Sequence, residues 1–452
     1  AIPPMRTRVT SGPACRAMHE PGNFRALGEG GQRRTARPDT VFSRTLAPMS
    51  TAPLPFEIDA RSAGGPLGMP PAQFLRDYWQ KRPLLIRNAF PAFETPLQPE
   101  DLAGLACEEF ALSRLIRHDR AGDGWQVETG PFDEDLFPGL GDRDWTLLVQ
   151  DVDKWDADVA ALLPHFAFLP RWRIDDIMVS FAATGGSVGA HVDQYDVFLL
   201  QGQGHRRWQI DASEAMGRGL PPQDFRDDVE LKLLREFTAT HDWVLGPGDM
   251  LYLPPMVPHH GVAEDPCLTF SIGMRAPAVT ELMGDFVDTL AADIDESQRY
   301  HDETLAVPAD PNEIDDAAMA RVVAALEALR TDDPERLGEW FGRFITGYRN
   351  AHQVMPADTL PPRIELEFQL AEGGAVLQRN PFSRMAWRRS GDGARLFVSG
   401  TAWALPPADA ARLAAAGAVS AQDYADLTAD GRDAVNALFE QGHYQLSFPD
   451  EA

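Results

Sequence analysis

Two groups of metal-binding side chains, far apart in the sequence, place the strongest constraint on how this chain can fold. His191-Val192-Asp193 puts an imidazole and a carboxylate two positions apart, and the adjacent His259 and His260 follow much later. Residues i and i+2 of a strand point to the same face, so His191 and Asp193 can bind one ion while Val192 faces away. Two histidines and one carboxylate form the facial triad that holds Fe(II) and leaves the opposite coordination positions open. The fold must therefore bring a strand and a distant histidine to one point.

The segments around these residues are typical of a β-barrel. The glycine-rich run 185–190 precedes the first ligand and allows a close backbone approach at the mouth of a barrel. The turn 246–249 leads into an apolar strand that ends beside the late histidines. Neighbouring side chains of an extended segment point to opposite faces, so only one of the two histidines is expected to bind the ion. Because Pro258 fixes the approach to His259, we favour His259 as the third ligand. His260 is then expected either to support the ligands without binding the ion or to contact the substrate.

An iron ion with three protein ligands usually recruits a cosubstrate to activate oxygen. 2-Oxoglutarate binds such a metal through its keto acid end and leaves a distant carboxylate that needs a cation inside the barrel. Arginine suits this task because its planar fork pairs with a carboxylate through two hydrogen bonds. Arg206 and Arg207 follow the His-x-Asp segment on the next predicted strand, where one of them faces inward. Ser271, on the late strand 268–273, can donate a second hydrogen bond, although spacing alone equally allows a solvated arginine pair.

Several segments together resemble a known family, the JmjC-type ribosomal oxygenases. They are 74–87, 173–180, 185–198, 204–208 and 254–259. The resemblance runs from about Pro55 to the C-terminus, and it is nearest to the bacterial cupin-like members that hydroxylate an arginine of a large-subunit ribosomal protein. It implies an enzyme, a 2-oxoglutarate-dependent dioxygenase, that uses Fe(II), 2-oxoglutarate and O2.

Carried over position by position, the resemblance implies roles for individual residues. His191, Asp193 and His259 become the iron ligands, and Arg206 becomes the partner of the distal 2-oxoglutarate carboxylate, where other members carry Lys. The residue after the last ligand is Glu in similar proteins and His260 here. The second shell of the site is therefore expected to differ from that of the relatives.

The pattern of elements predicts a mainly β catalytic domain followed by helices and a second small domain. We expect 49–276 to form a double-stranded β-helix, the jelly roll of cupin and JmjC proteins. Strands and helices in 356–452 indicate a winged-helix domain. The arginine-rich residues 1–48 are expected to be disordered or an upstream extension, with a targeting segment as a lesser alternative.

Residues 277–355 change to helical periodicity. Apolar residues recur on one face of each predicted helix: Leu282, Phe286, Val287 and Leu290, then Ile314, Ala318, Val322, Ala325 and Leu329. Such a helical segment can be a simple spacer between two domains. The resemblance implies instead a dimerisation module, and we therefore expect a homodimer.

Composition limits the compartment and the partners. The chain of 452 residues has a net charge of −27, with 68 acidic against 41 basic residues, so it repels nucleic acid phosphate and attracts basic polypeptide. Direct nucleic-acid binding is not expected, and a basic ribosomal protein is the expected substrate. The sequence contains no run of about 18 apolar residues, so no membrane span is expected. Three widely spaced cysteines argue against a disulfide framework and favour a reducing, cytoplasmic location.

The expected activity is hydroxylation of a protein side chain, and an arginine is the favoured target. Its guanidinium needs carboxylates near the iron, and Asp175, Asp176 and Asp196 are candidates. Hydroxylation of a ribosomal histidine and demethylation of N-methyl-lysine are the alternatives within this chemistry. A catalytically silent cupin scaffold and a zinc or manganese cupin isomerase are the alternatives outside it.

Overall fold

The structure, a computed structural model, describes residues 54–213, 224–292, 294–295, 297, 299–303, 305–307, 312–327 and 333–448. The segment 1–48, expected to be disordered or an upstream extension, lies outside the described residues, as does Leu329 of the predicted apolar stripe. No helix in the described ranges combines the length and the apolar character needed to cross a membrane.

Two β-sheets form the N-terminal part of the described chain. Their strands are β1 Glu57–Asp59, β2 Leu84–Arg87, β3 Ser113–Asp119, β4 Gly124–Thr129, β5 Trp145–Val149, β6 Ile174–Ala182, β7 Val197–Gln203, β8 Arg206–Ile210, β9 His241–Leu245, β10 Met250–Leu253, β11 His259–Ala263 and β12 Cys267–Met274. The larger sheet runs β1-β2-β10-β7-β12-β6-β5-β3-β4, and the smaller runs β11-β8-β9. Only β1 and β2 pair in parallel within these two sheets. Two packed, almost wholly antiparallel sheets confirm the predicted jelly roll.

Strand β7 holds the two sheets together because it is buried on both faces. Phe198 and Leu200 point into the core beneath the covering helices. Val197 and Leu199 point the other way and pack with Trp208 of the smaller sheet. This arrangement explains why the segment after the first two candidate ligands is continuously apolar.

Short helices cover the outer face of the larger sheet. They are α1 Pro71–Asp77, α2 Pro99–Ala106, α3 Leu136–Gly139, α4 Val152–Trp155 and α5 Ala157–Ala160, with 3-10 turns at Leu163–Phe166 and Arg171–Arg173. Phe74 of α1 and Phe166 are fully buried against Phe198. Leu102 of α2 belongs to the same core. The barrel is thus closed on the side opposite the smaller sheet.

Three longer helices follow: α6 Val279–Ala292, α7 Asp316–Glu327 and α8 Pro334–Thr346. Helix α6 packs on α8 through the rings of Phe286 and Trp340, whose centroids lie 4.7 Å apart. The predicted apolar faces are not buried as a whole: Leu290 is buried, whereas Val287 is exposed, and Ile314 lies exposed ahead of α7. Periodicity located the helices but not what covers their apolar faces.

The C-terminal part contains the predicted winged helix. Its elements are a 3-10 turn Ala351–Gln353, α9 Arg363–Ala371, β13 Val376–Arg379, β14 Met385–Ser390, β15 Gly393–Val398, β16 Thr401–Leu405, α10 Pro407–Ala415, β17 Ala418–Val419, α11 Ala421–Asp426, α12 Ala429–Glu440 and β18 Tyr444–Ser447. The strands pair as β17-β13-β18 and β14-β15-β16. Helix α8 lies against β14 and β15, where Gly342 leaves room for the ring of Phe397.

Candidate metal and cosubstrate site

The first two candidate ligands precede a strand instead of lying within it. Strand β7 begins only at Val197, so the expected strand through His191 and Asp193 is wrong. His191 instead forms an isolated antiparallel bridge with His259, the first residue of β11. Each backbone N–H donates to the other residue's carbonyl, at 3.0 and 2.9 Å. This pairing replaces the expected strand as the device that brings the two distant histidines together.

The three side chains converge on one point. His259 Nε2 lies 3.6 Å from one Asp193 oxygen, and His191 Nε2 lies 3.9 Å from the other. One ligand atom from each of the three residues falls within 4.8 Å of the others, a group able to hold a metal ion. His259 is buried, whereas the other two are half-buried and face a cavity. Two imidazoles and one carboxylate arranged in this way fit Fe(II).

The backbone fixes which ring nitrogen of each histidine faces the centre. His191 Nδ1 lies 2.9 Å from the Gly189 carbonyl, and His259 Nδ1 lies 2.9 Å from the Val257 carbonyl. A carbonyl only accepts, so each Nδ1 carries the proton and each Nε2 keeps its lone pair. Burial and the neighbouring His191 lower the pKa of His259 to about 4. The His259 ring is therefore held neutral, and each ring directs its Nε2 toward the centre, as metal ligation requires.

His260 points away from the three converging side chains. Its Nε2 lies 3.1 Å from the Ser187 hydroxyl, which also accepts the Gly189 N–H at 3.0 Å. His260 does not line the cavity, among the residues described, so the structure does not support the expected alternative of a substrate contact. Its contacts instead brace the turn whose Gly189 carbonyl orients His191.

A cavity of about 580 Å³ lies between the two sheets and includes the three candidate ligands in its wall. Alternating positions of β6 and β12 supply part of the lining: Asp176, Met178, Ser180, Thr269, Ser271 and Gly273. Arg206 of β8 closes the inner end, and Tyr195 lies among the lining residues near the outer end. Both sequence-predicted cosubstrate residues, Arg206 and Ser271, therefore face the same cavity as the candidate metal ligands.

Arg206 is a buried cation that has no carboxylate partner among the residues that the structure describes. Its exposed fraction is 2%, and its nearest polar contact among described residues is the Ser180 hydroxyl at 3.5 Å. The Nε–H has no hydrogen-bond partner in the described part of the chain, and burial lowers the pKa of the guanidinium. Arg207 points outward and pairs with Asp242. An unpaired buried charge is costly, so Arg206 is suited to a small anion that enters from the cavity, such as the far carboxylate of 2-oxoglutarate.

Gly261 makes room for this arginine. A Cβ atom at Gly261 would lie 2.7 Å from the Trp208 ring and 2.8 Å from Arg206 Nε. The Arg206 guanidinium lies over the Trp208 ring, 5.1 Å from its centroid. The absence of a side chain on β11 thus sets the depth at which the cation sits.

The three carboxylates considered for a substrate arginine have different surroundings. Asp196 is fully buried and bound by the Tyr252 hydroxyl at 2.6 Å and by Gln80, so it supports the core and does not line the cavity. Asp175 and Asp176 do line it. Sequence reasoning assigned no role to Tyr195 or Met178, although the i, i+2 alternation from Asp176 along β6 would have placed Met178 on the same face.

Known proteins resemble this chain in both parts. The family model described as JmjC domain matches residues 161–282, and the one described as ROXA-like winged helix matches residues 328–445. A model described as AraC-like ligand binding domain matches residues 237–333.

Similar sequences include ribosomal protein uL16 3-hydroxylase of Escherichia coli strain K12, 38% identical over 307 residues, which are 68% of this chain and 79% of the relative. A probable ribosomal oxygenase of Haemophilus influenzae is 44% identical over 217 residues, 47% of this chain and 51% of the relative.

Solved structures are similar across nearly their whole length. The X-ray structure of E. coli YcfD has a TM-score of 0.74 at 34% identity and covers 84% of this chain and 98% of that one. A structure of YcfD, described as a ribosomal oxygenase in complex with cobalt and 2-oxoglutarate, has a TM-score of 0.71 at 33% identity, covering 83% and 98%. The similarity therefore spans the β-domain, the helices and the C-terminal domain together.

Proposed function

The chain belongs to the JmjC ribosomal oxygenases, and from this membership we propose that it is an Fe(II)- and 2-oxoglutarate-dependent hydroxylase of an arginine in a large-subunit ribosomal protein. One relative is named for hydroxylation of ribosomal protein uL16, and a similar structure holds cobalt and 2-oxoglutarate. The observation that carries the proposal is the unpaired, buried Arg206 at the inner end of the cavity that the triad lines.

His191, Asp193 and His259 are the proposed iron ligands. Their Nε2 and carboxylate oxygen atoms converge, and the hydrogen bonds at Nδ1 hold both rings in the ligating tautomer. Iron bound with 2-oxoglutarate supplies the oxygen activation needed to hydroxylate an unactivated carbon. The contribution of the chain is to orient both groups and to keep bulk water out of the cavity.

Arg206 and Ser271 are the proposed partners of the distal 2-oxoglutarate carboxylate. Both line the cavity, and a guanidinium with unused donors can form a paired hydrogen bond with a carboxylate. Such charge-assisted bonds contribute about 1.5–3 kcal/mol each. The Ser271 hydroxyl adds a neutral donor from β12.

Asp176 is the proposed partner of the substrate guanidinium. It lines the cavity on the same wall as Met178, and Tyr195 lies nearby. One of its oxygens, Oδ2, accepts the Asp151 N–H, whereas Oδ1 accepts no hydrogen bond from a described residue. A carboxylate favours a cationic side chain, which supports arginine over the histidine alternative. N-methyl-lysine is also cationic, but its product would have lost a methyl group, whereas a hydroxylated arginine gains an oxygen atom.

The helical segment is proposed to be a dimerisation module. Helices α6 and α7 expose large apolar side chains, among them Met283 at 62%, Val323 at 51% and Leu326 at 57%. A contiguous exposed apolar surface often marks an interaction site, whereas single exposed apolar side chains are common on protein surfaces. A second copy of the chain is the occupant that the family resemblance implies.

The function is tested by comparing intact masses of ribosomal proteins from cells with and without this gene. We expect one large-subunit protein to carry one additional oxygen atom only when the gene is present, and fragmentation should place it on an arginine side chain. An oxygen on a histidine would favour the histidine hydroxylase alternative. Identical masses for every ribosomal protein would contradict the proposed substrate class.

A further inference from the structure

Arg349 sits in a group of carboxylates at the edge of the cavity. It follows α8, and its Nη2 lies 3.1 and 3.0 Å from the two oxygens of Asp151 and 3.5 Å from Asp176 Oδ2. Its Nη1 lies 3.4 Å from Asp175. A residue from the segment between the helices and the winged helix thus reaches the wall that also bears the proposed substrate ligand.

The neighbours of Arg349 in sequence hold the same carboxylate. The Tyr348 hydroxyl donates to Asp151, and the Asn350 amide donates to it at 3.0 Å. Asp151 in turn donates its backbone N–H to Asp176 Oδ2 at 3.0 Å. Three consecutive residues therefore fix Asp151, and Asp151 fixes one oxygen of Asp176.

The cations of this group are not shared equally among its carboxylates. Four carboxylates take part: Asp151, Asp153, Asp175 and Asp176. Lys154 pairs with Asp153, Arg384 with Asp175, and Arg349 with Asp151. A fourth cation, Arg275, also acts on Asp175: burial raises the pKa of that carboxyl, but Arg384, Arg349 and Arg275 together lower it. Among the described residues, Asp176 has the weakest pairing, because its ion pair there is the 3.5 Å contact with Arg349.

The free oxygen of Asp176 faces open space. A Cβ atom on Gly273 would lie 3.5 Å from Asp176 Oδ1 and 3.9 Å from the Tyr195 ring, so Gly273 leaves a gap between the two. Both residues line the same cavity as the triad. A guanidinium that enters past Tyr195 would meet Oδ1 there.

We infer that Arg349 is a positioning residue for substrate recognition, which holds Asp176 in the orientation and charge state that a substrate guanidinium requires. The inference rests on the proposed function. It adds a residue outside the β-domain to the recognition of substrate, so the segment after α8 takes part in forming the cavity wall.

The charge of Arg349 matters because the carboxylates repel one another. Burial and the charges of Asp151, Asp175 and Asp153 raise the pKa of Asp176 to about 7. Asp176 raises the pKa of Arg349, and by reciprocity Arg349 lowers that of Asp176. Arg384 and Arg275 act on the neighbouring Asp175, and the Tyr195 phenol also lies near Asp176. Without Arg349, Asp176 would remain protonated to a higher pH and would bind a cation less well.

The test compares Arg349→Met, Arg349→Lys and the matched control Arg343→Met, which removes a half-exposed arginine of α8 that pairs with Glu339. A short peptide with one arginine is titrated calorimetrically into the full-length, metal-free chain over a range of pH. We expect Arg349→Met to weaken binding about tenfold or more near neutral pH and to move the midpoint of the pH profile upward, since one pKa unit corresponds to a factor of ten. Arg349→Lys should retain most of the affinity, and Arg343→Met all of it.

Two results would overturn the inference. One is a wild-type affinity and pH midpoint in Arg349→Met. The other is an equal loss at every pH that lysine does not restore, which would indicate a merely structural role. If instead the wild-type chain neither binds nor hydroxylates arginine peptides, the proposed function itself fails, so the two failures are distinguishable.

Discussion

Arg206 offers the most direct test of the pocket at the scale of a single residue. Arg206→Met should weaken 2-oxoglutarate binding by about 10- to 100-fold, because charge-assisted hydrogen bonds of about 1.5–3 kcal/mol are lost. The same change should leave the free energy of unfolding of the ligand-free chain unchanged or increased, since an unpaired buried cation is replaced by an apolar side chain. Calorimetric titration and thermal unfolding measure the two effects.

Arg207→Met is the matched control for this prediction, because Arg207 is the exposed neighbour that pairs with Asp242. It should change neither quantity appreciably. Equal loss of 2-oxoglutarate affinity in both variants would contradict the role of Arg206.

The adjacent histidines make a second prediction at the same scale. His259→Ala should abolish tight binding of Fe(II) or Co(II), because it removes one of three converging ligand atoms. His260→Ala should weaken metal binding by no more than about 100-fold, the upper end of the effect of groups that orient a metal ligand without binding the metal. Metal titration followed by absorption spectroscopy separates them. Similar losses in the two variants would mean that the assignment of the third ligand is wrong.

Strand β11 carries a prediction at the scale of the element. Gly261→Ala places a methyl group against Trp208 and Arg206 Nε, so we expect a destabilisation of about 1–3 kcal/mol together with weaker 2-oxoglutarate binding. Gly104→Ala in α2 is the control, because a Cβ there meets nothing within 4 Å and alanine favours a helix. Chemical denaturation compares both. A Gly261→Ala protein as stable as the wild type, with intact binding, would contradict this packing argument.

At the scale of the element, local sequence patterns predicted the direction of side chains on a strand better than they predicted contacts between distant segments. Neighbouring strand residues face opposite sides, so spacing predicted that one of Arg206 and Arg207 faces inward, and the family resemblance implied that it is Arg206. The bridge between His191 and His259 could not be expected, because pairing outside regular strands depends on how the glycine-rich turn packs. The expected strand through His191 failed for this reason, although the three expected ligand residues still converge on one point.

At the scale of the whole molecule, helices α6 and α7 predict a dimer. Met319→Glu and Val323→Glu in α7 should produce monomers, because each puts a charge into the exposed apolar stripe. Ala324→Glu adds the same charge on the other side of the same helix and should leave the dimer intact. Sedimentation velocity distinguishes the species. A wild-type chain that sediments as a monomer would contradict the dimerisation module.

The parts of the site that come from distant segments could not be predicted from the sequence. Asp176 was one of three candidates that spacing did not separate, and the structure separates them because Asp196 is enclosed by Tyr252 and Gln80. Arg349 gave no signal at all, since its role depends on how the segment after α8 returns to the barrel. Net charge indicated a basic partner, but only tertiary packing shows where a weakly paired carboxylate, Asp176, faces the cavity.

The central claim is that this chain hydroxylates an arginine of a ribosomal protein with iron and 2-oxoglutarate. Its most direct test incubates the purified chain with Fe(II), 2-oxoglutarate, O2 and purified large-subunit ribosomal proteins, followed by tandem mass spectrometry, with Asp193→Ala as the control. We predict one added oxygen on an arginine side chain, dependent on 2-oxoglutarate and absent with Asp193→Ala. Turnover of 2-oxoglutarate with no oxygen gained by any ribosomal protein, or equal product from the Asp193→Ala chain, would contradict the account.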